Sequence, residues 1–401
     1  SYTVNDLGDS IGVVALAVLV FDRTNAVAPT AGFFLVAKFL PALISAGLTA
    51  HLDRLRLRRT LPTLYVLEAL VFAALALLAA EGRFVLALVL ALALVDGTLA
   101  ITGRALTRGA VATILQPRGL ISEGNALMNL GFAASSVFGA ALAGGLIALF
   151  GLSEALLVDA ASFLVIAVVL ATSRHLPHLG HSEYQPWHKR FRAGLAFARS
   201  QRFVRTLLVG QSLALVCFTL VVPIEVIYAK ESLGTTSAGF GALLSSWGAG
   251  IVLGSLLFIA LKHRTGFALI MISTAAVGLA YVGMSQAATL LVACAMSVLG
   301  GVGNGIQWVA VLTALQEATP RDYQGRMAGL LESIGAAMPG VGYLLGGVIV
   351  AIASPRAAFA AAGGGVLVLV AIALLMRQSG EFSAQTSTTT GSTMGRRLSR
   401  S

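Results

Sequence analysis

Charged residues are scarce in this chain. Only 11% of its 401 residues are Asp, Glu, Lys or Arg, whereas 57% are hydrophobic, and the mean hydropathy is +0.88. A soluble globular domain carries about 25% charged residues, which keep its surface hydrated. The composition therefore excludes a soluble enzyme, and it equally excludes a disordered chain, which would be poor in hydrophobic residues.

Cysteine and lysine are also rare. The two cysteines, Cys217 and Cys294, both lie in apolar runs, so the chain is not a disulfide-stabilised scaffold. A phosphate-binding G-x-x-x-x-G-K-[ST] loop needs a lysine directly after a glycine. None of the four lysines follows a glycine: Lys38, Lys189, Lys230 and Lys262. We therefore predict no ATPase site, no other catalytic residue and no cofactor.

Long apolar runs dominate the rest of the sequence. Each run has about 20 residues, enough for a helix to cross a hydrocarbon core of about 30 Å. The runs are continuous, whereas the strands of an outer-membrane barrel alternate apolar and polar residues. The sequence predicts an all-α, polytopic membrane protein with twelve transmembrane helices, at about 3–21, 28–50, 61–80, 84–105, 122–149, 155–173, 205–229, 237–261, 267–285, 288–313, 327–352 and 357–376.

Basic residues are distributed asymmetrically between the predicted loops. The loops after spans two, four, six, eight and ten, together with the C-terminal tail, hold 22 of them, and the opposite loops hold 4. Arg104 and Arg108 are counted in the loop after span four. Loops rich in Lys and Arg stay in the cytoplasm, so both termini are predicted to be cytoplasmic. The net charge of +10 is then explained without nucleic acid as a partner.

The two halves of the chain resemble each other. The pair Leu115-Gln116 has a counterpart in Leu315-Gln316, and the pair Gly144-Gly145 has a counterpart in Gly346-Gly347. Duplicated halves of six spans occur in secondary transporters. We predict two pseudo-symmetric six-helix bundles at 1–173 and 205–377, a cytoplasmic linker at 174–204 and a disordered cytoplasmic tail at 378–401.

The linker contains an amphipathic segment, with Trp187, Phe191, Leu195 and Ala198 at helical spacing among basic residues. Such a helix either lies on anionic headgroups of the inner leaflet or packs on the bundle, and the sequence does not separate the two. Three histidines precede it, at His175, His178 and His181, but Pro177 and Gly180 interrupt any common helical face. We predict a solvated loop there and no metal site.

Ionisable residues inside membrane spans are costly and usually functional. Such residues are expected to line a central cavity, to which polar residues of span ten could add hydrogen bonds and stacking. The alternative is structural pairing, for example of Lys38 with Asp9; Asp159, in span six, is a further buried acid. The predicted proton-coupling and substrate-cavity residues are Asp9, Lys38, Asp96, Glu225, Asn304, Gln307, Trp308 and Glu332.

Four G-x-x-x-G pairs lie in the spans: Gly8/Gly12, Gly250/Gly254, Gly301/Gly305 and Gly342/Gly346. Small residues at this spacing let helices pack closely. The first pair also fits the G-x-S-x-G nucleophile elbow of hydrolases, but that elbow needs a strand-to-helix turn and a histidine. We predict close helix packing at all four pairs, either with sliding of the helices or without movement, and no hydrolase.

Several segments together resemble the major facilitator superfamily, over about residues 1–377. The most similar branch is that of bacterial exporters, with macrolide efflux proteins and the enterobactin exporter. The segments are Leu7-Gly8-Asp9, Glu123-Gly124-Asn125-Ala126-Leu127, Val158-Asp159-Ala160-Ala161-Ser162-Phe163, Arg192-Ala193-Gly194-Leu195 and Gly325-Arg326.

The resemblance implies a transporter that works by alternating access in a bacterial cytoplasmic (inner) membrane. The sequence matches part of the superfamily's cytoplasmic signature after span two. This match implies a cytoplasmic gate formed by Asp53, Arg54 and Arg58. An antiporter signature appears at Gly139–Gly144, with Ala140 in place of its proline. We expect export of an amphiphilic small molecule in exchange for protons, by a monomer in contact with membrane lipids. The alternatives are an importer of the same fold, and a non-transporting assembly factor or lipid scramblase.

Overall fold

The structure is a computed structural model that describes residues 2–52, 57–115, 120–173, 187–261 and 265–378. The regular secondary structure within these ranges is helical. Apolar runs of this length form helices because a helix satisfies its own backbone hydrogen bonds where no water is present. The helices are α1 (Tyr2–Thr24), α2 (Val27–Phe34), α3 (Leu40–Leu52), α4 (Leu57–Ala80), α5 (Leu86–Leu115), α6 (Ile121–Leu149), α7 (Leu152–Thr172), α8 (Trp187–Ser200), α9 (Arg202–Thr219), α10 (Glu225–Ile227), α11 (Ser237–Leu261), α12 (Gly266–Gln286), α13 (Leu290–Glu317), α14 (Arg321–Ile352) and α15 (Pro355–Gln378).

Ten helical segments of the described chain are long and apolar enough to cross a membrane. The protein is therefore a multi-pass membrane protein. Two of the predicted spans are outside this set: α1, and α6, which contributes only the shorter apolar stretch Phe138–Leu149. The count of twelve spans stays a prediction.

One predicted boundary is wrong by ten residues. Span four was expected to end at 105, but α5 continues to Leu115. No proline interrupts the sequence between Arg104 and Leu115, so the helix continues past its charged residues. Arg104 and Arg108 consequently lie in a helix and not in a loop.

Two spans contain π-helical turns. The turn Leu35–Phe39 joins α2 to α3 and contains Lys38. The turn Tyr228–Ser232 follows α10 and contains Lys230, and a 3-10 turn at Val222–Ile224 precedes α10. Isolated π turns within helices are frequent at functional sites.

Helix packing within each half includes several extensive contacts. In the first half α7 packs on α4 and α1, and α3 packs on α5; in the second half α13 packs on α11 and α12, and α14 packs on α9. Across the halves α6 packs on α11, and α14 packs on α2. The division of the chain at 173 and 205 into two bundles remains a proposal.

Glycine faces allow the closest of these contacts. A Cβ atom on Gly250 would lie 2.8 Å from Cα of Gly301, and one on Gly12 would lie 2.6 Å from Oδ2 of Asp159. Equally tight contacts occur at Gly8, Gly254, Gly301, Gly305, Gly342 and Gly346. The close packing predicted for the four G-x-x-x-G pairs is confirmed.

The two halves meet at the end of the molecule where α1, α4, α12 and α14 stop, which we call the hairpin end. Lys230 forms an ion pair with Asp22 there. The ring centroids of Phe34 and Tyr343 are 6.1 Å apart, and a Cβ atom on Gly144 would lie 2.8 Å from the carbonyl oxygen of Ser237. The charge distribution of the loops predicts that this end faces outward.

The amphipathic segment of the linker forms α8. Phe197 stacks on Tyr323 of α14 with ring centroids 4.6 Å apart. Ala198 is buried in a cluster with Val204, Leu208, Leu315, Met327, Leu330 and Leu331. Of the two alternatives left by the sequence, the structure has the helix packed on the bundle.

Candidate functional site

A buried ion pair joins the first helix to the fifth. Nη1 of Arg104 on α5 donates to Oδ2 of Asp9 on α1 at 2.8 Å. The Asp9 side chain is 9% exposed and that of Arg104 is 27% exposed. A charge-assisted bond of this length is strong where water is largely excluded. The two residues are 95 positions apart in the sequence, so the pair fixes α1 against α5.

This ion pair forms one wall of a small cavity. The cavity has a volume of about 20 Å³, which is comparable to the space that one water molecule needs. Lys38 and Asp96 complete its charged lining, and Val13, Leu16 and Phe33 are among its apolar walls. Two acids and two bases from three different spans therefore meet at one point.

The structure brings together three of the predicted site residues, Asp9, Lys38 and Asp96, around this cavity. Asp9 pairs with Arg104, and its suggested pairing with Lys38 stays a prediction. Arg104 was missed because a charged residue was taken to end span four. Oδ1 of Asp96 is buried and has no hydrogen-bond partner within the described residues.

Two further acids lie behind α1. Glu68 on α4 and Asp159 on α7 are both 0% exposed. Neither carboxylate oxygen of Glu68 has a hydrogen-bond partner in the part of the chain that the structure describes. Asp159 accepts a hydrogen bond from Ser162 at 3.4 Å and packs against Gly8 and Gly12 of α1. Glu68 lies inside the predicted span 61–80, so the rule applied to other buried ionisable residues would have found it.

Glu225 lies in another part of the molecule. It begins α10, is half-buried, and is close enough to Tyr281 and Tyr343 to interact with them electrostatically. Tyr343 in turn contacts Phe34 of the other half. Glu225 is thus near the contact between the halves and does not line the cavity at Asp9.

The polar residues of span ten are divided between different surfaces. Gln307 is 2% exposed, and its Nε2 donates to Oε1 of Gln211 at 2.6 Å. Both glutamines line a second cavity, of about 560 Å³, between α9, α12, α13 and α15. Asn304 is half-buried, and Trp308 is 40% exposed. Gln307 therefore lies in a different cavity from Asp9, and Gln211 is a neighbour that sequence reasoning did not identify.

The remaining predicted residues are only partly described. Asp53, Arg54 and the histidines His175, His178 and His181 lie outside the described residues. Arg58 is exposed in the first turn of α4. Glu332 lies in α14, with its side chain outside the described part of the structure. Within the described ranges no group of three or more His, Cys, Asp or Glu side chains is arranged to hold a metal ion.

Known structures share the whole architecture of this chain. A single-residue mutant of the nucleoside transporter NupG superposes with a TM-score of 0.72 at 14% identity, over 94% of this chain and 98% of that one. A POT family transporter in complex with 5-aminolevulinic acid has a TM-score of 0.68 at 13% identity, over 94% of both chains. The human organic anion transporter MFSD10 has a TM-score of 0.57 at 19% identity, over 92% of this chain and 97% of that one.

The sequence itself gives a second finding. The family model of the Major Facilitator Superfamily matches residues 207–393. The chain has the major facilitator fold. No curated protein matches the sequence significantly. The match in the second half and the shared fold together support a transporter of the major facilitator type. They identify neither the exporter branch nor a substrate.

Proposed function

We propose that the protein is a secondary active transporter that exports amphiphilic small molecules in exchange for protons. The observation that carries this proposal is the Asp9–Arg104 pair beside Lys38 and Asp96. Such a charge cluster inside a membrane protein is costly to maintain without a function. Within a transporter fold, an intramembrane carboxylate is a candidate carrier of the coupling proton.

The coupling step follows from the chemistry of the pair. A proton that enters from outside forms an O–H bond on the Asp9 carboxylate, and the neutral acid no longer attracts the guanidinium as an ion. Arg104 keeps its charge, because arginine is not deprotonated in proteins. The link between α1 and α5 is therefore weakened in the protonated state and restored when Asp9 releases the proton to the cytoplasm. The two states favour different helix arrangements, as alternating access requires.

The substrate needs more room than the structure offers at Asp9. Pockets that hold drug-sized ligands have volumes of about 300–1,000 Å³, whereas the cavity there has a volume of about 20 Å³. We propose that the substrate cavity forms next to this cluster when the halves move, with Glu225, Asn304, Trp308 and Glu332 as candidate contacts. The part-matched signature at Asp53, Arg54 and Arg58 would act as the cytoplasmic gate. We further propose a monomer in a bacterial inner membrane.

The test is transport by the purified chain in proteoliposomes that contain the pH dye pyranine. An imposed proton gradient should drive movement of ethidium or erythromycin out of the compartment that corresponds to the cytoplasm, with proton flux in the opposite direction. Movement of these compounds with the protons would favour an importer. Lipid transfer between leaflets without any proton flux would favour a scramblase.

The proposed orientation predicts the accessibility of α8. Ser200 is exposed at the end of that helix. In a background with Cys217 and Cys294 replaced by alanine, Ser200→Cys should not react with a membrane-impermeant maleimide in intact cells. It should react in inverted vesicles, and Ala288→Cys at the hairpin end should show the reverse. Labelling of Ser200→Cys from outside would invert the topology.

The contact between Asp22 and Lys230 should stabilise the arrangement in which the hairpin end is closed. The pair links α1 to the π turn of the second half, and Asp22 is 50% exposed. A half-exposed pair contributes about 1 kcal/mol, so its loss in Asp22→Lys should raise the open population about fivefold. Spin labels at Glu81 and Ala288 would measure the separation of the halves. Lys230→Asp added to Asp22→Lys should reverse the change, and an unaltered distance distribution in Asp22→Lys would show that the pair has no such role.

A further inference from the structure

The second cavity is far larger than the first and lies within one half of the molecule. Its volume of about 560 Å³ falls in the range of ligand sites. It is bounded by α9, α12, α13 and α15, and no residue of its lining is shared with the cavity at Asp9. The proton-coupling proposal makes no use of this cavity.

Part of the apolar lining of the cavity is exposed at the surface of the molecule, within two candidate membrane spans. Three of its apolar lining residues are about half exposed: Val209 (54%), Leu213 (47%) and Ile372 (48%). Ile270 and Met271 of α12 extend the apolar wall inward. We infer that an acyl chain in the membrane can reach the cavity along these exposed apolar residues.

One end of the cavity is strongly basic. Arg202 and Arg205, in the first turn of α9, both line it. Arg377, in the last turn of α15, lies 4.7 Å over the ring of Phe267, which lines the same cavity. Arg202 and Arg377 mark the ends of two candidate membrane spans, which is the depth of lipid headgroups. None of the described lining residues is acidic.

We propose that this cavity binds one anionic phospholipid, with its phosphate at Arg202 and Arg205 and an acyl chain along the apolar wall. Guanidinium groups match phosphate oxygens in charge and geometry. Basic pockets between transmembrane helices recognise anionic headgroups in this way. The site is independent of the export proposal, because it requires neither proton coupling nor movement of the halves.

Gly210 provides a direct probe of the apolar part. It lines the cavity, and a Cβ atom added to it would have no other atom within 4 Å. The Cβ of a leucine at this position therefore starts in open space beside the cavity lining, so Gly210→Leu is expected to occupy part of the cavity, and leucine is a better helix former than glycine. Gly364→Leu on α15 is the matched control, because Gly364 also has open space around it and does not line the cavity.

Native mass spectrometry of the full chain in detergent, titrated with phosphatidylglycerol or phosphatidylcholine, tests the proposal. Phosphatidylglycerol should bind more tightly, Gly210→Leu should abolish the tight binding, and Gly364→Leu should leave it unchanged. Arg205→Gln should weaken binding about fivefold, since a basic residue near anionic lipid contributes about 1 kcal/mol. Arg83→Gln, which removes an exposed arginine elsewhere, should have no effect.

Two outcomes would overturn the proposal. Equal binding of the two lipids would remove the role of the arginines. A Gly210→Leu variant that keeps its phosphatidylglycerol affinity but loses ethidium binding would assign the cavity to a transported compound. Folding of each variant is checked by size-exclusion chromatography, so that a lost lipid signal is not mistaken for a lost fold.

Discussion

Asp9→Asn is expected to abolish gradient-driven export and to leave the binding of ethidium or erythromycin in place. The amide has nearly the shape of the carboxylate but neither carries its charge nor exchanges its proton. It cannot form the ion pair seen at 2.8 Å with Arg104, so the helix arrangement no longer responds to protonation. In proteoliposomes the proton-driven rate should fall to that of protein-free vesicles, while equilibrium binding, followed by ligand fluorescence, should persist.

A structural loss must be distinguished from a loss of coupling. Removing one partner of a buried ion pair costs up to about 3–5 kcal/mol, so Asp9→Asn is also expected to lower the melting temperature. The double variant Asp9→Asn with Arg104→Gln removes both charges and should recover stability without recovering coupling. Asp9→Glu keeps a titratable acid and should retain some coupled transport. Export by Asp9→Asn against a gradient, with unchanged pH dependence, would make Asp9 structural and leave Asp96 as the next candidate.

Gly301→Leu is expected to prevent stable folding of the second half. A Cβ atom on Gly301 would clash with the carbonyl oxygen of Trp247 and lie 2.8 Å from Cα of Gly250. These are backbone atoms of α11, so α11 and α13 would have to separate. Overpacking typically costs about 1–3 kcal/mol and more where nothing can yield. The measurement is the yield and melting temperature of the monodisperse protein in detergent.

Gly145→Leu is the control for this substitution. A Cβ atom on Gly145, in α6, would have no neighbour within 4 Å, so the variant should fold like the parent chain. A well-folded Gly301→Leu with an unaltered melting temperature would show that the α11–α13 contact is looser than the structure has it.

The fold was largely predictable because a membrane span needs a single property, a continuous apolar run. The end of α5 was not, because Arg104 interrupts the apolar run while the following residues still favour a helix. Close packing could be predicted at Gly250 and Gly301, since small residues four apart leave a flat helix face whichever partner fills it.

The candidate site was less accessible to sequence reasoning. Their positions inside predicted membrane spans identified Asp9 and Asp96 as buried acids. The sequence did not show that Asp9 would pair with Arg104, which is 95 positions away. Gln307 was predicted to line the same central cavity as Asp9, but it contacts Gln211 in the second cavity. A span that is apolar on all sides gives no sequence signal for which face packs against the other helices. The sequence therefore predicts how deep in the membrane a polar residue lies, but not which helix it contacts.

Each of the two π turns contains a lysine whose contacts would change if the turn converted to regular α-helix. A π turn holds one residue more than the α-helical path, so its conversion rotates the helix beyond it by about 100° and advances it by about 1.5 Å. Such a slip at Leu35–Phe39 would turn Lys38 away from Asp9 and Asp96, and one at Tyr228–Ser232 would withdraw Lys230 from Asp22. Conversion of a single π turn to α-helix could thus move a lysine into or out of its ion pair. The loops at the ends of the helix would keep the same number of residues.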